Sequence, residues 1–505
     1  MNNSVSTLPK RRVFRGGAFL SLGPVAAILL GFIVSFFVGL YISPDSLGEF
    51  SFVNEFISLI TSVVLFGLPG AFTKYIAEYL GKEDQLKLNS LLKTQTGLTI
   101  GICIFSSFFT LIAAPIYFHL LGLQITGLKL LLIVLAVSST IISKFAVSTI
   151  NGYYDVERLG VYDLIANVIS RLIVILCIII TFNAYSLIVR ILVINIILIS
   201  LIPTSKKRIY TLEGYSHPFK PLFSFGLPAM VAFAIVLIGQ NLFLKTLILF
   251  QFGQNQVGYF DYAFRLVSFI NTATLGFFAS LSSYYARLLG EGGIRKIGLE
   301  GGWIIKSSLV IFSPIIIGSI IIGKLFFEEI VPSYAPAFSF FVILTFGIIF
   351  LVIFRPFVFM IDAIGKTKVK IYRIFTALPA GYIIFFLTAP LGPLSIVISW
   401  VTMDIVGALT IYFFCRRYVG NIIIEKKKSL LCLMSALVMG VPVLIVNLII
   451  PGLLAIPFMV IIGILVYIFL VRELNLISEQ EIRATSSFVL PKKIAKLAEK
   501  LLIKA

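Results

Sequence analysis

Apolar residues run in unbroken stretches of about twenty along nearly the whole chain, separated by short polar segments. A helix needs about 20 apolar residues to cross roughly 30 Å of hydrocarbon. On that measure the pattern predicts fourteen spans, near residues 18–42, 50–73, 94–118, 128–150, 161–182, 185–204, 221–249, 258–284, 302–323, 336–360, 369–388, 393–415, 429–449 and 452–471. A transmembrane β-barrel would show segments of alternating polarity, and these runs are continuously apolar. Backbone groups in lipid must pair within the segment, so the prediction is an all-α polytopic membrane protein.

Charge placement tests the count separately. Of the 41 Lys and Arg residues, the loops and ends on the N-terminal side of the fourteen-span layout take 35, the opposite loops take only Lys129 and Lys324, and Arg171, Arg190, Lys245 and Arg265 lie within spans. Basic loops mark the cytoplasmic side. Both termini are therefore expected inside, in a multi-pass protein of the cell membrane. The apolar run after Arg15 has no small-residue cleavage site and reads as a retained first span.

Composition removes several classes. The 505 residues are 59% hydrophobic and 12% charged, too few charges to coat a soluble fold of this length. The net charge of +19 has no soluble domain to present it to nucleic acid. Four cysteines lie in apolar runs without paired spacing, and His119 and His217 are far apart, which speaks against a disulfide framework or a metal centre. No phosphate-binding loop, dinucleotide fingerprint or nucleophile elbow is present, so neither an enzyme nor a cofactor is expected.

The chain also repeats itself. SPDSLGEFSFVNEFISLI at 43–60 aligns with GQNQVGYFDYAFRLVSFI at 253–270 at an offset of 210, which pairs Gly48 with Gly258, Phe50 with Phe260 and Ser58 with Ser268. Gly23-Pro24 in span 1 has a counterpart in Gly226-Leu227-Pro228 of span 7. Spans 1–6 and 7–12 thus read as two pseudo-symmetric six-helix lobes, and an even number of spans keeps both copies in one orientation. The expected organisation is an N-lobe at 1–204, a cytoplasmic linker at 205–220, a C-lobe at 221–418, two extra helices at 419–472 and a tail at 473–505. In PKKIAKLAEKLLIKA at 491–505, Ile494, Leu497, Leu501 and Leu502 share one helical face bordered by lysines, which suits the surface of an anionic membrane. Matched helix breaks in the two copies make Gly23, Pro24, Gly226 and Pro228 hinge candidates.

The segments ISPDSLGEFSFVNEF and FGLPGAFTKYIAEYLGKED resemble the polysaccharide-biosynthesis branch of the multidrug/oligosaccharidyl-lipid/polysaccharide exporter superfamily. FSFGLPAMVAF with FGQNQVGYFDYAFRLVSF, FFEEIVPSYAPAFSFFVIL and IDAIGKTKVKIY extend the resemblance over nearly the whole chain. It implies a V-shaped, two-lobe transporter that flips lipid-linked oligosaccharides by alternating access. The cargo would be a glycan on a polyprenyl or dolichyl (pyro)phosphate, with H+ or Na+ as a coupling ion.

Moving a phosphate through hydrocarbon calls for shielded cations. Arg171 in span 5, Arg265 in span 8 and Lys245 in span 7 are the cavity candidates, with Asn54 and Tyr262 as partners for sugar hydroxyls. Glu55 is the repeat-mate of Arg265, so the two either bridge the lobes in one state, or Arg265 pairs locally with Asp261 one turn away. In the related lipid II flippase branch the matching positions of spans 2 and 8 are both cationic, and here span 2 carries an acid. Glu55, Asp261 and Asp404, in span 12, are the coupling or gating candidates. A cation-coupled multidrug exporter of the same fold is the alternative. A membrane glycosyltransferase or ligase fits less well, because the outer loops are short and hold few acids.

Overall fold

The computed structural model describes residues 28–153, 155–200, 217–278, 281–300, 302–366, 368–450 and 452–476. Gly23, Pro24, most of the 205–220 linker and the basic tail from residue 477 onward lie outside the described residues.

The described chain is helical throughout, in the order α1 Ile28–Tyr41, α2 Pro44–Leu65, α3 Leu68–Gly81, α4 Gln85–Leu120, α5 Gly127–Gly152, α6 Val156–Thr181 and α7 Ser186–Ile199. There follow α8 Phe219–Val236, a π-helical segment Leu237–Leu242, α9 Phe243–Phe252, α10 Gln254–Phe278, α11 Leu281–Glu300, α12 Trp303–Leu325, α13 Ala337–Ala363, α14 Val369–Thr388, α15 Leu394–Val419, α16 Lys426–Ile449 and α17 Ala455–Glu473. Among the described residues eleven helices are long and apolar enough to cross a membrane, and α1 and α7 are shorter apolar helices. This is a multi-pass membrane protein. The predicted eighth span falls on α10, which carries Asp261 and Arg265.

Local chemistry sets the helix ends. The Ser43 hydroxyl accepts a bond from Ser46 N at 3.3 Å, and Pro44 occupies the first turn of α2, where its missing N–H leaves no bond unmade. Asp84 accepts from Lys87 N at 3.0 Å to start α4. That bond, with the Lys87 ammonium beside it, holds the Asp84 carboxyl below its ordinary range. Where the hydropathy pattern predicts one span at 50–73, two helices meet. Phe66 and Gly67 turn into the left-handed region at φ 49° and 66°, and the chain restarts as α3 with Pro69 in its first turn. The polar outer turns of α2 and α3 carry no hydropathy signal, so the prediction was short at both ends.

The chain forms two compact units, Met1–Asp261 and Tyr262–Ala505, divided within α10. In the first, α5 is the central packing partner, touching α2, α3, α4, α6 and α7. Polar side chains tie these helices inside the bundle, where an unpaired amide or hydroxyl is costly. Gln95 of α4 donates to Thr149 Oγ1 of α5 at 2.6 Å, and Asn195 of α7 bonds Ser143 at 2.8 Å and Thr140 at 2.8 Å, both on α5. The start of α8 is pinned at His217, whose N–H donates to Thr94 Oγ1 at 2.6 Å and whose ring meets the Tyr79 hydroxyl at 2.7 Å.

In the second unit α15 packs on α13 and α14, and α12 packs on α13, α16 and α17. The Ser399 hydroxyl reaches the Gly381 carbonyl at 2.8 Å across the α14–α15 contact. The segment leading into α16 is fastened to α12 by the buried Lys306, whose ammonium sits 2.9 Å from Glu425. Large apolar side chains such as Phe105, Phe108, Phe386, Leu448 and Leu454 are exposed on the outer faces, as expected where the surrounding medium is lipid.

Candidate functional site: two intramembrane charge clusters

The first cluster lies in the first unit, where α2 meets the start of α10. A Cβ on Gly48 would collide with the Gln254 carbonyl, and one on Gly258 with the Pro44 carbonyl. Only glycine lets the two backbones approach this closely. These are the glycines that the 210-residue offset pairs. The same offset separates Ser51 from Asp261, and the Ser51 hydroxyl donates to Asp261 Oδ1 at 3.1 Å. Positions that the 210-residue offset pairs therefore touch one another where α2 meets the first turns of α10.

Lys245, on α9 just after the π-helical segment, enters this crossing. Its ammonium donates to Ser51 Oγ at 2.8 Å, Glu55 Oε1 at 2.8 Å and Asp261 Oδ1 at 3.3 Å. Three donors meet three acceptors, so the ammonium is fully bonded. The side chains of Lys245, Glu55 and Asp261 are 5%, 8% and 15% exposed. Two carboxylates share one ammonium. A second ion pair stands nearby along α2, where Glu49 takes bonds from Lys129 of α5 at 2.7 Å and the Tyr185 hydroxyl at 2.6 Å. At the far end of α2, Gly67 packs against Gly226 of α8.

The second cluster lies in the second unit. Arg355 of α13 donates to Asn271 Oδ1 at 2.7 Å, to the Asn271 carbonyl at 3.3 Å and to the Thr274 hydroxyl, all on α10. Arg373 of α14 faces Asp404 of α15 with Nη2 3.7 Å from Oδ1.

The expected site residues are thereby placed. Lys245, Glu55 and Asp261 come together, so the partner of Glu55 is Lys245. Arg171 is buried on α6 and donates to the carbonyl and side chain of Asn167, one turn earlier on its own helix. Tyr262 is fully buried, stacked on Tyr334 at 4.2 Å, a packing position. Asn54 is exposed, and Arg265 is half-buried on α10. Gly226 and Pro228 lie inside an unbroken α8, and the departure from α geometry comes later, in the π-helical segment. Asp404 faces Arg373. Sequence reasoning missed Arg355 and Arg373, which the charge count assigned to basic loops. The signal was their position inside the apolar runs 336–360 and 369–388. It also missed Ser51, for which the offset of 210 from Asp261 was the clue.

A cavity of about 420 Å3 opens between α12, α16 and α17, lined by Pro314, Gly318, Met439, Met459, Gly463 and Tyr467 among others and almost entirely apolar.

Solved structures share this fold. A lipid II flippase, MurJ, in an inward closed conformation aligns with a TM-score of 0.66 at 17% identity, covering 90% of this chain and 99% of that one. An inward-facing multidrug resistance MATE family transporter of the MOP superfamily aligns with a TM-score of 0.64 at 16% identity, covering 79% and 98%. A MOP superfamily transporter from Pyrococcus furiosus Vc1 (DSM3638), whose reversed pocket polarity suggests a different function, aligns with a TM-score of 0.55 at 16% identity, covering 82% and 96%. No curated protein matches the chain by sequence. The fold is that of the MOP superfamily transporters. The model of the family described as "Polysaccharide biosynthesis protein" matches residues 13–285, more than half of the chain, and the chain belongs to that family.

Proposed function

We propose that this protein is a flippase that moves lipid-linked oligosaccharide or polysaccharide precursors across the cytoplasmic membrane by alternating access, with both termini on the cytoplasmic side. It acts as a transporter and not as an enzyme. The observation that carries the reading is the crossing of the repeat-related helices α2 and α10, clasped by the buried Lys245–Glu55–Asp261 cluster. A contact that is fastened by charges, rather than by apolar packing alone, can part and re-form as the access side changes. Glu55 and Asp261 gate that crossing. The apolar cavity between α12, α16 and α17 suits a branched isoprenoid tail that remains in hydrocarbon while the glycan crosses.

A second reading has one observation in its favour. The two carboxylates beside Lys245, Glu55 and Asp261, would also suit a cation, as in a cation-coupled drug exporter. Reconstitution separates the two. Full-length protein in liposomes is given a fluorescent polyprenyl-diphosphate oligosaccharide, and leaflet exposure is followed by impermeant quenching. Accelerated exchange between leaflets is expected. Transport of a cationic dye under a pH gradient, with no exchange of the glycolipid, would overturn the flippase reading.

A further inference from the structure

We propose that the basic ends of α14 and α15, on the outer surface of the second unit, form a docking surface for the headgroup of an anionic membrane phospholipid. The proposal does not rest on the flippase reading.

The apolar surface comes first. On α14, Ile371, Phe375, Pro379, Ile383 and Leu387 recur every fourth residue, and all are exposed. Sixteen residues of helix rise about 24 Å, most of a hydrocarbon layer of roughly 30 Å. On α15, Leu409 and Phe413 are exposed one turn apart. Such faces belong against acyl chains.

Both helices change character at the same end. One turn beyond Phe413 stand Arg416 and Arg417, and one turn before Ile371 stands Lys368, all exposed. The step from Phe413 to Arg417 is about 6 Å along the axis, so a ring among the chains sets the guanidinium at the level of the headgroups. An aromatic ladder joins the two ends. Tyr372 of α14 stacks on Phe414 of α15 with 5.2 Å between centroids, and Phe414 stacks on Tyr418 with 6.4 Å. The Lys366 ammonium lies 5.5 Å over the Tyr418 ring, which brings it to the residue that follows Arg417. Tyrosine collects where hydrocarbon meets water, and the ladder marks that plane.

Charge selects the lipid. Between 362 and 373 and between 409 and 420 the one acid in the sequence is Asp362, and it is paired with Lys370 at 2.7 Å. Among the described residues Lys368, Arg416 and Arg417 make no ion pair, and Lys366 makes only its ring contact. Arg416 and Arg417 lie in the last turn of α15, where the helix dipole favours cations, so they are presented with or without a ligand. A guanidinium takes a phosphodiester by two parallel N–H···O bonds. A zwitterionic headgroup brings no net charge to balance the patch, and an anionic one does. A soluble acidic partner would leave Phe375 and Phe413 uncovered, whereas a phospholipid meets the arginines and the rings in one molecule.

A single-tryptophan protein tests this. With Trp303→Phe and Trp400→Phe, Phe413→Trp places the fluorophore one turn from the arginines. Full-length protein is reconstituted in phosphatidylcholine, and brominated phosphatidylglycerol or brominated phosphatidylcholine is added as quencher. Phe105→Trp, on the exposed face of α4, is the reference. A preference for phosphatidylglycerol of about fivefold or more is expected at position 413 and almost none at position 105. Arg416→Gln with Arg417→Gln should abolish it, and Arg416→Lys with Arg417→Lys should keep part of it. No preference at 413, an equal preference at 105, or a preference unchanged by the double glutamine substitution overturns the site. The chain with both native tryptophans gives a second readout in detergent. Its thermal midpoint should rise more with phosphatidylglycerol than with phosphatidylcholine, and that difference should vanish in Arg416→Gln with Arg417→Gln. An equal rise in both proteins overturns the proposal, as does arginine-dependent binding of polyglutamate without any lipid preference, which would assign a soluble partner.

Discussion

Lys245 illustrates how much one residue can hold. Its ammonium sits between Glu55 and Asp261, and removing it takes that counter-charge away from two buried carboxylates. Breaking a buried pair from one side typically costs about 3–5 kcal/mol. Lys245→Met is expected to destabilise the detergent-solubilised protein on that scale, read as a lower midpoint in thermal unfolding. Adding Glu55→Gln and Asp261→Asn to the same chain should recover most of the loss, because no buried charge is then left over. A triple variant no more stable than Lys245→Met would mean that the cost lies in shape rather than charge. The residue types here were visible in the sequence, but their pairing was not. The alignment set Glu55 opposite Arg265, whereas a shift of one turn and a lysine from α9 supply the actual partner.

At the scale of elements, close approach decides which helices act together. The α2–α10 crossing depends on Gly48 and Gly258, so Gly258→Val should force the helices apart. A cysteine pair at Asp45 and Gln254, joined now by a 2.7 Å bond from the Gln254 side chain to the Asp45 carbonyl, should then cross-link far less efficiently than in the Gly258 background. A second element contact responds to pH. Burial pushes the Glu425 carboxyl up, but Lys306 and Lys428 outweigh it and hold the group below its ordinary value. A depressed carboxylate stabilises the attachment above its unfolded-state value and loses that contribution as pH falls through the depressed one. Loss of the Lys306–Glu425 contact at neutral pH, as in Lys306→Met, is therefore expected to accelerate tryptic cleavage at Lys426–Lys428. Equal cleavage in the Lys306→Met and parent proteins would remove Lys306 from this role. Span positions were legible because hydropathy reports burial in lipid directly. The prediction 369–388 coincides with α14, and 128–150 falls within one or two residues of α5. The break at Phe66–Gly67 was signalled by Gly-Leu-Pro-Gly but not located as a division of one span into two helices, since left-handed backbone has no hydropathy.

For the whole molecule, charge asymmetry fixes the expected orientation. In a cysteine-free background, Lys428→Cys should react with an impermeant thiol reagent only from the cytoplasmic side and Glu328→Cys only from the opposite side. Labelling of both from one side would break the fourteen-span layout. The helical class, the multi-pass character and the family followed from sequence alone, because apolar length and a recurring pattern are one-dimensional quantities. Only the tertiary structure decided that Ser51 and Asp261 touch, that Lys245 is shared by two acids, that Arg355 is held by Asn271 and Thr274, and that Arg373 faces Asp404. The reason is geometric. Each of those contacts joins residues from different helices, and the rotation of one helix about its axis relative to its neighbour, set by glycine contacts and interhelical hydrogen bonds, is not written in hydropathy.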